Sequence, residues 1–409
     1  MERRVVLLGY GMQGKACVYD LIKHGDFSHL DIVDCYDGFL ADVAALDHPR
    51  IQAHHMDGGD TVGLNALFSP ASLVIDFFPP HFTLTMMELA IDAQCHAMTS
   101  SYINNPSYQD VPGFVQRVEA LGVKARERGL TILQEFGMDP GMDLAVGQKV
   151  VDGLDEVVAL HSYGAGFPEP AAANNPLRYK FTWSVIGTVR SHLRPARYLS
   201  EGENMEIPSD GMFAPEHTHY LKLPGLDESL ECFYNGNSME YISLFGIQDH
   251  VKTMGRYICR WPGHGAFWER MAKCGFLSSD PITVGDQQVH PDEFCAALLG
   301  DQPQFRYQKG ERDIGLIRVD GRGIKDGKPL RIVMQTLVRH DLESGFSAMQ
   351  QTVGFPMAIG AMMILDGKVR GPGMVMPMDV PLDDYFQALE KRGICFERTE
   401  TPWDGKQRP

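Results

Sequence analysis

Lys180, in the segment NPLRYKFTW, stands among Tyr179, Phe181 and Trp183, and an ammonium buried in such apolar company gives up its proton more readily than one in water. The competing reading is a surface lysine laid over its aromatic neighbours. Asp139 and Asp143 bracket Pro140-Gly141 in EFGMDPGMDL, and Tyr102 follows Ser100 and Ser101 in TSSY. A lysine, two carboxylates and a phenol can take up or return protons at a reacting nitrogen or carbonyl, an effect of about 10²–10⁴-fold when one is well placed. Arg178 lies in the same segment as Lys180, and its planar fork suits a carboxylate bound through both oxygens. Asn175 could bond the same group or simply shape the loop before Pro176. Trp183 and His81, the latter directly after FFPP, complete the candidate ligand contacts, with packing an equal alternative for His81.

A different chemistry is written near the start. VVLLGYGMQGKACVYDLI runs from β-branched and leucine residues through Gly9-x-Gly11-x-x-Gly14 into a helical pattern with Val18, Leu21 and Ile22 on one face. The first glycine permits a tight turn, the second lets backbone approach a pyrophosphate, and the third lets helix and strand pack closely. Free N–H groups where the helix begins, around Met12 and Gln13, attract the anion. The second apolar run, LDIVDCYD, ends in Asp34, twenty residues after Gly14. A carboxylate there accepts both ribose hydroxyls of an adenosine, which points to NAD; NADP is possible, but its 2′-phosphate would meet Asp34 with no cation at Cys35 or Tyr36. Asp34 as a helix cap is the alternative, for which Asp37 is better placed.

These groups need elements to hold them. After Asp34 the chain offers ASLVIDFFP, FTLTMMELAIDAQ, HAMTSSY, FVQRVEALGVKARERG and TILQEF, strand and helix by turns, the pattern of an α/β, doubly wound parallel sheet of Rossmann type. Ligands of such sheets sit at the carboxyl ends of the strands, where Phe78 and Pro79, Ser100 and Ser101, and the EFGMDPGMDL turn all fall. In that turn Asp139 is expected as the N-cap and Pro140 as the first helical residue, with Asp143 in the first turn and Gly141 clearing room for a ligand. Helix capping alone explains the same residues. His217 and His219 alternate in EHTHY with no third ligand near, so no metal is expected, and His264 between two glycines reads as a loop residue.

A chain of 409 residues exceeds one hydrophobic core, so two domains are expected. Its net charge of −16 is spread along the length without a cluster of Lys and Arg, which argues against nucleic acid as a partner. The longest apolar stretch, VGFPMAIGAMMILDG, is short and broken by Pro and Gly, which argues against a membrane. A strand beginning within four residues of Met1 leaves no room for a cleaved leader, so a cytoplasmic location is expected. The eight cysteines lack any C-x-x-C pair and read as free, mostly buried thiols. The polar tail RTETPWDGKQRP reads as frayed.

GMDPGMD, TSSYINNP and SYGAGFPEPAAANNPLRYKFTWSVIG together resemble the saccharopine dehydrogenase family, with weaker echoes in NSMEYISLFGI, RYICRWPGHG and TVGFPMAIGAMMILDGKVRGPG. The resemblance runs over nearly the whole chain. It implies a Rossmann dinucleotide-binding domain over residues 1–140, completed by about 355–409, and an α+β substrate-binding and dimerisation domain over 141–354 of a homodimer. It places Tyr102 against nicotinamide and substrate. The activity it implies is NAD(P)-dependent oxidation of the CH–NH bond of a carboxylate-bearing secondary amine through an imine, the substrate being a small amino-acid- or diamine-derived molecule such as saccharopine. Lysine 6-dehydrogenase or carboxylated-polyamine dehydrogenase activity is the enzymatic alternative; a non-catalytic nucleotide-binding regulator is the other. Gly164 stands where many members carry cysteine, so no acid–base part can be given to that thiol.

Overall fold

The computed structural model describes residues 2–101, 113–369 and 371–406. The chain divides into two units, 1–145 with 350–395 and 146–349 with 396–409. In the first, strand and helix alternate as the apolar runs predict: β1 (Arg4–Leu8), α1 (Met12–His24), β2 (His29–Asp34), α2 (Phe39–Ala44), β3 (Ile51–His55), α3 (Thr61–Phe68), β4 (Leu73–Asp76), α4 (Thr83–Asp92), β5 (His96–Thr99), α5 (Phe114–Glu127) and β6 (Thr131–Leu133), after which α6 (Met142–Val151) begins in this unit and ends in the second. The second unit supplies β7 (Glu156–Pro168), α7 (Val185–Ser191), β8 (Ala196–Ser200), β9 (Glu203–Ile207), β10 (His219–Leu221), β11 (Leu230–Tyr234), α8 (Glu240–Leu244), β12 (Thr253–Arg260), α9 (His264–Lys273), β13 (Ile282–Val284), β14 (Gln287–Val289), α10 (Pro291–Asp301), β15 (Asp313–Lys325) and β16 (Lys328–Arg339). Then α11 (Ala348–Leu365) leads to β17 (Gly373–Val375) and α12 (Leu382–Glu390) of the first unit, and β18 (Glu397–Pro402) ends the chain in the second.

The first unit holds a seven-stranded sheet in the order β3-β2-β1-β4-β5-β6-β17, every pair parallel. Its central strands are apolar without alternation because helices cover both faces: Val5, Val6, Leu7 and Leu8 have no exposed surface. Strand order reverses at β1, which pairs with β2 on one side and β4 on the other, and it is outside the carboxyl ends at such a reversal that ligands bind. The apolar stretch around Pro356 forms α11. By length and composition α11 could cross a membrane, yet 72% of it is buried within the protein. Its small residues explain the fit: Gly354 lies against Ala16 and Gln13 of α1, and Gly360 against Phe136 and Met98.

The second unit is built on a mixed nine-stranded sheet, β10-β11-β12-β7-β15-β16-β18 along the main path, with β8 attached to β12 and β9 to β8. Long β7 is its spine, parallel to β12 and antiparallel to β15. One buried cluster joins Tyr163 and Phe167 of β7 to Tyr257 and Cys259 of β12; another gathers Tyr179, Phe233, Trp268 and Phe305.

Two expectations about the tail are corrected here. Residues 396–409 belong to the second unit, not to the dinucleotide-binding one, and they are not frayed through 402, because β18 pairs with β16 from Gln335↔Glu397 to Leu330↔Pro402. Every residue of β18 is exposed, so it has no apolar alternation by which its strand could be seen in sequence. His264, expected in a loop, opens α9 and is buried.

A Cβ added at Gly354 would stand 2.6 Å from the Ala16 Cβ and 2.7 Å from the Gln13 carbonyl oxygen. Gly354→Val should therefore destabilise the first unit by about 1–3 kcal/mol, seen as a lower thermal unfolding midpoint; an unchanged midpoint would mean that α1 and α11 are free to part.

Candidate functional site

The glycine turn between β1 and α1 shows a separate reason for each glycine. Gly9 has φ +91°, and a Cβ there would meet the Phe77 carbonyl oxygen at 2.9 Å. At Gly14 a Cβ would lie 2.0 Å from the Gly9 carbonyl oxygen, so helix and strand touch through backbone. Gly11 faces open space, with nothing within 4 Å of where its Cβ would be. Next to it α1 begins at Met12, with no side-chain cap and no acidic residue in its first turn, leaving N–H groups and a positive dipole end for an anion. Asp34 ends β2, and its two carboxylate oxygens accept the N–H groups of Tyr10, at 2.6 Å, and Cys35, at 2.7 Å. It is therefore part of the turn, and it does not cap α2, whose N-cap is Gly38. A pyrophosphate fits the open side of Gly11 and the start of α1. These residues suit a nicotinamide dinucleotide.

Beside the turn, β4 ends in Asp76, which is wholly buried. One carboxylate oxygen accepts the Phe78 N–H at 2.9 Å and the other has no hydrogen-bond partner. Burial pushes its pKa up to about 7, with the Phe78 N–H opposing the rise only in part. Phe78 is buried against Phe82, whereas Pro79 and His81 are exposed. Ser100 and Ser101 are half-buried; the Ser101 N–H bonds the Thr99 hydroxyl at 3.1 Å, and Ser100 lies against Gly137. Tyr102 lies outside the described residues.

The stretch after β6 departs from its expected form. Residues 137–141 make a tight turn containing a cis peptide between Asp139 and Pro140, and α6 starts only at Met142. Asp139 is thus not the N-cap and Pro140 is not the first helical residue. Gly141 has φ +141°, and a Cβ on it would stand 2.2 Å from the Gly137 carbonyl oxygen, so its bareness serves contact between backbones and not room for a ligand. Asp143 sits in the first turn as expected, buried, accepting the Gly141 N–H at 2.8 Å. Of the two aspartates, only Asp139 keeps partial exposure.

In the second unit Lys180 is 2% exposed, which removes the surface-lysine reading. Its surroundings are less apolar than expected: Nζ lies 2.6 Å from a carboxylate oxygen of Glu311 and 6.0 Å from the centre of the Tyr307 ring. Burial alone would raise the Glu311 pKa, but the Lys180 ammonium and the Gln308 N–H hold it below the usual range. Asn175 takes the loop-shaping part. Its amide donates to the carbonyls of Tyr179 and Gln304 and accepts from the N–H groups of Leu177 and Tyr179, which uses both donors and both acceptor positions. Arg178 is already clamped, through both Nη atoms, on Glu228 at 2.8 and 2.9 Å, with Trp261 beneath it, so it has no fork to offer another carboxylate. Trp183 is half-buried and packs on Gly187. His219 bonds the Tyr163 hydroxyl at 3.3 Å, and burial pushes its pKa down to about 4. Among the described residues no group of three or more His, Cys, Asp or Glu could hold a metal.

Sequence reasoning passed over Glu311, Tyr307 and Asp76. Glu311 lies 131 residues from Lys180, and nothing local joins them. Asp76 had a signal, an acid closing the apolar run LVID at a strand end.

Comparison with known proteins agrees with this geometry. Residues 5–133 match the family model of the saccharopine dehydrogenase NADP binding domain, and 137–394 that of the saccharopine dehydrogenase C-terminal domain. The chain is 25% identical over 413 residues to alpha-aminoadipic semialdehyde synthase of Arabidopsis thaliana, covering 83% of itself but only 37% of that protein. It is 25% identical over 460 residues to the NADP(+), L-glutamate-forming saccharopine dehydrogenase of Saccharomyces cerevisiae, covering 97% of itself and 99% of that chain. The apo structure of the L-Glu-forming enzyme from S. cerevisiae superposes with a TM-score of 0.80 at 23% identity, over 98% of this chain and all of the other, and so shares its fold.

Two outcomes follow from the geometry. Gly11→Val, with open space around it, should leave the unfolding midpoint within about 1 °C of wild type while weakening dinucleotide binding at least about tenfold in a fluorescence titration; equal binding would remove the pyrophosphate from this turn. For Asp76, the folded state holds its proton to about pH 7 whereas an ordinary carboxyl loses it near 3.8. Wild-type stability should therefore fall as pH rises from about 4 to about 7, and Asp76→Asn should abolish that fall, a difference on the order of 4 kcal/mol at pH about 8. Parallel pH profiles for the two proteins would refute the assignment.

Proposed function

Because the chain belongs to the saccharopine dehydrogenase family, we propose that it is a nicotinamide-dinucleotide-dependent oxidoreductase acting on the CH–NH bond of a carboxylate-bearing secondary amine, with saccharopine as substrate and L-glutamate as one product. The observation that carries this reading is the open Gly11 cradle at the start of α1, in a chain that matches both domain models of the family from residue 5 to residue 394. The bound dinucleotide supplies the two-electron acceptor. The chain's own residues hold it through Gly9, Gly11, Gly14 and the first N–H groups of α1, and exclude water with the Phe77–Phe82 segment. Asp139, partly exposed in its turn, is assigned to take the amine proton. Asp143 is assigned to fixing that turn through Gly141. Lys180, paired with Glu311 inside the second unit, is assigned to holding its own segment in place.

Between the two dinucleotides we favour NAD. Asp34 stands at the ribose end of the site, and the nearby cation, Lys15, lies over the Tyr10 and Tyr36 rings with its charge already paired to Asp42 at 2.7 Å. A 2′-phosphate would meet two carboxylates and one engaged lysine, although the domain model and the yeast relative carry NADP in their names. A homodimer in the cytoplasm remains part of the proposal.

The test is reduction of NAD and NADP, followed at the absorbance of the reduced ring, with saccharopine, lysine and carboxyspermidine offered in parallel. Turnover of saccharopine alone, at least about tenfold more efficient with NAD, is expected. Turnover of lysine or of carboxyspermidine instead would replace the substrate, a preference for NADP would overturn the part given to Asp34, and dinucleotide binding without turnover of any amine would leave a regulatory protein.

A further inference from the structure

Lys15 is the one cation in the two connections that flank the end of β2, residues 9–15 and 35–42, where Asp37 and Asp42 also lie. It stands one turn into α1, its N–H bonded to the Gly11 carbonyl at 3.0 Å. A cation so close to the positive end of a helix is disfavoured, and its neighbours offset the repulsion. Nζ lies 2.7 Å from a carboxylate oxygen of Asp42, 5.4 Å from the centre of the Tyr10 ring and 5.5 Å from that of Tyr36. The Tyr36 hydroxyl donates to the same Asp42 oxygen at 2.6 Å. Lys15 and Tyr36 together hold the Asp42 carboxyl below its usual range. Both tyrosine rings meet the buried ring of Phe39 edge-on, so packing fixes where they stand.

This cluster lies where it can act on a ligand. Tyr10 sits between Gly9 and Gly11, and its N–H donates to Asp34 at the end of β2, the strand end beside which the adenosine ribose of a dinucleotide rests in this kind of sheet. A phosphate on the ribose 2′ oxygen needs a cation there. The lysine is present, but Asp42 has taken its charge. The two side chains are 39% and 45% exposed. A pair so open to water is held weakly, and the flexible four-carbon stem of a lysine lets its ammonium change partners without disturbing a core.

We propose that Asp42, assisted by Tyr36, is a determinant of dinucleotide choice because it withholds Lys15 from a 2′-phosphate. The inference rests on the reading of the chain as a nicotinamide-dinucleotide enzyme that favours NAD, and it adds to Asp34 a second carboxylate that acts through the lysine it holds. Its test is binding and not turnover. NADH and NADPH are each titrated by fluorescence into the full chain, for wild type, Asp42→Asn, Lys15→Met and the double variant, and the ratio of the two affinities is compared.

Asp42→Asn should move that ratio toward NADPH by about five- to 20-fold with NADH affinity within about twofold of wild type, and the movement should shrink in about 0.5 M salt. Made in the Lys15→Met background, the same substitution should move the ratio by no more than about twofold. An unmoved ratio in Asp42→Asn would overturn the proposal. An equal movement with and without Lys15 would do so too, because Asp42 would then act by its own repulsion alone. A wild type that already favours NADPH, and favours it more in Asp42→Asn only when Lys15 is present, would uphold the part given to Asp42 and reject the preference for NAD. A wild type that binds neither dinucleotide would overturn both.

Discussion

The Gly9 carbonyl oxygen occupies the space where a side chain on Gly14 would begin, 2.0 Å from that Cβ position. No other residue type permits this approach, and much of the first unit is arranged around it. It brings α1 hard against β1, points the start of the helix outward beside Gly11, and sets the turn against the Phe77 backbone that follows β4. Asp34 ties the same turn from the β2 side through Tyr10 and Cys35. The result is a concave backbone surface at the sheet's reversal, with N–H groups where an anion's charge is stabilised and no acidic side chain in the first helical turn to oppose it.

The second unit is organised by a different constraint, the need of buried charges for partners. Asp320 is gripped by Arg322 and Arg331, which hold it well below the usual carboxylate range although burial acts the other way. Lys180 has Glu311 and Arg178 has Glu228. A hydride-transfer enzyme needs such fixed contacts at a distance from the reacting carbon, because orientation of the bound substrate is what the protein contributes beside the cofactor's chemistry.

Much of the first unit was legible because its signals are local. Apolar runs buried on both faces mark β1, β4 and β5, and three glycines at fixed spacing mark the turn. Where reading failed, the deciding contacts were remote or made by backbone. The turn at 137–141 looks in sequence like an ordinary helix start, yet Gly141 serves the Gly137 backbone and the helix begins at Met142. Within the motif around Lys180 the expected ligand groups are already engaged: Asn175 is absorbed by its own loop, and Arg178 by a glutamate fifty residues on. No spacing rule links Lys180 to Glu311, since that pair is created by the packing of the second sheet. β18 was invisible for the opposite reason, having backbone partners and no buried face.

The account stands on cleavage of a C–N bond coupled to reduction of the dinucleotide. Mass-spectrometric counting of products after incubation with saccharopine and NAD measures that coupling directly. It should give one molecule of L-glutamate for each dinucleotide reduced; reduced dinucleotide accompanied by lysine, or saccharopine recovered intact beside tightly bound NAD, would contradict it.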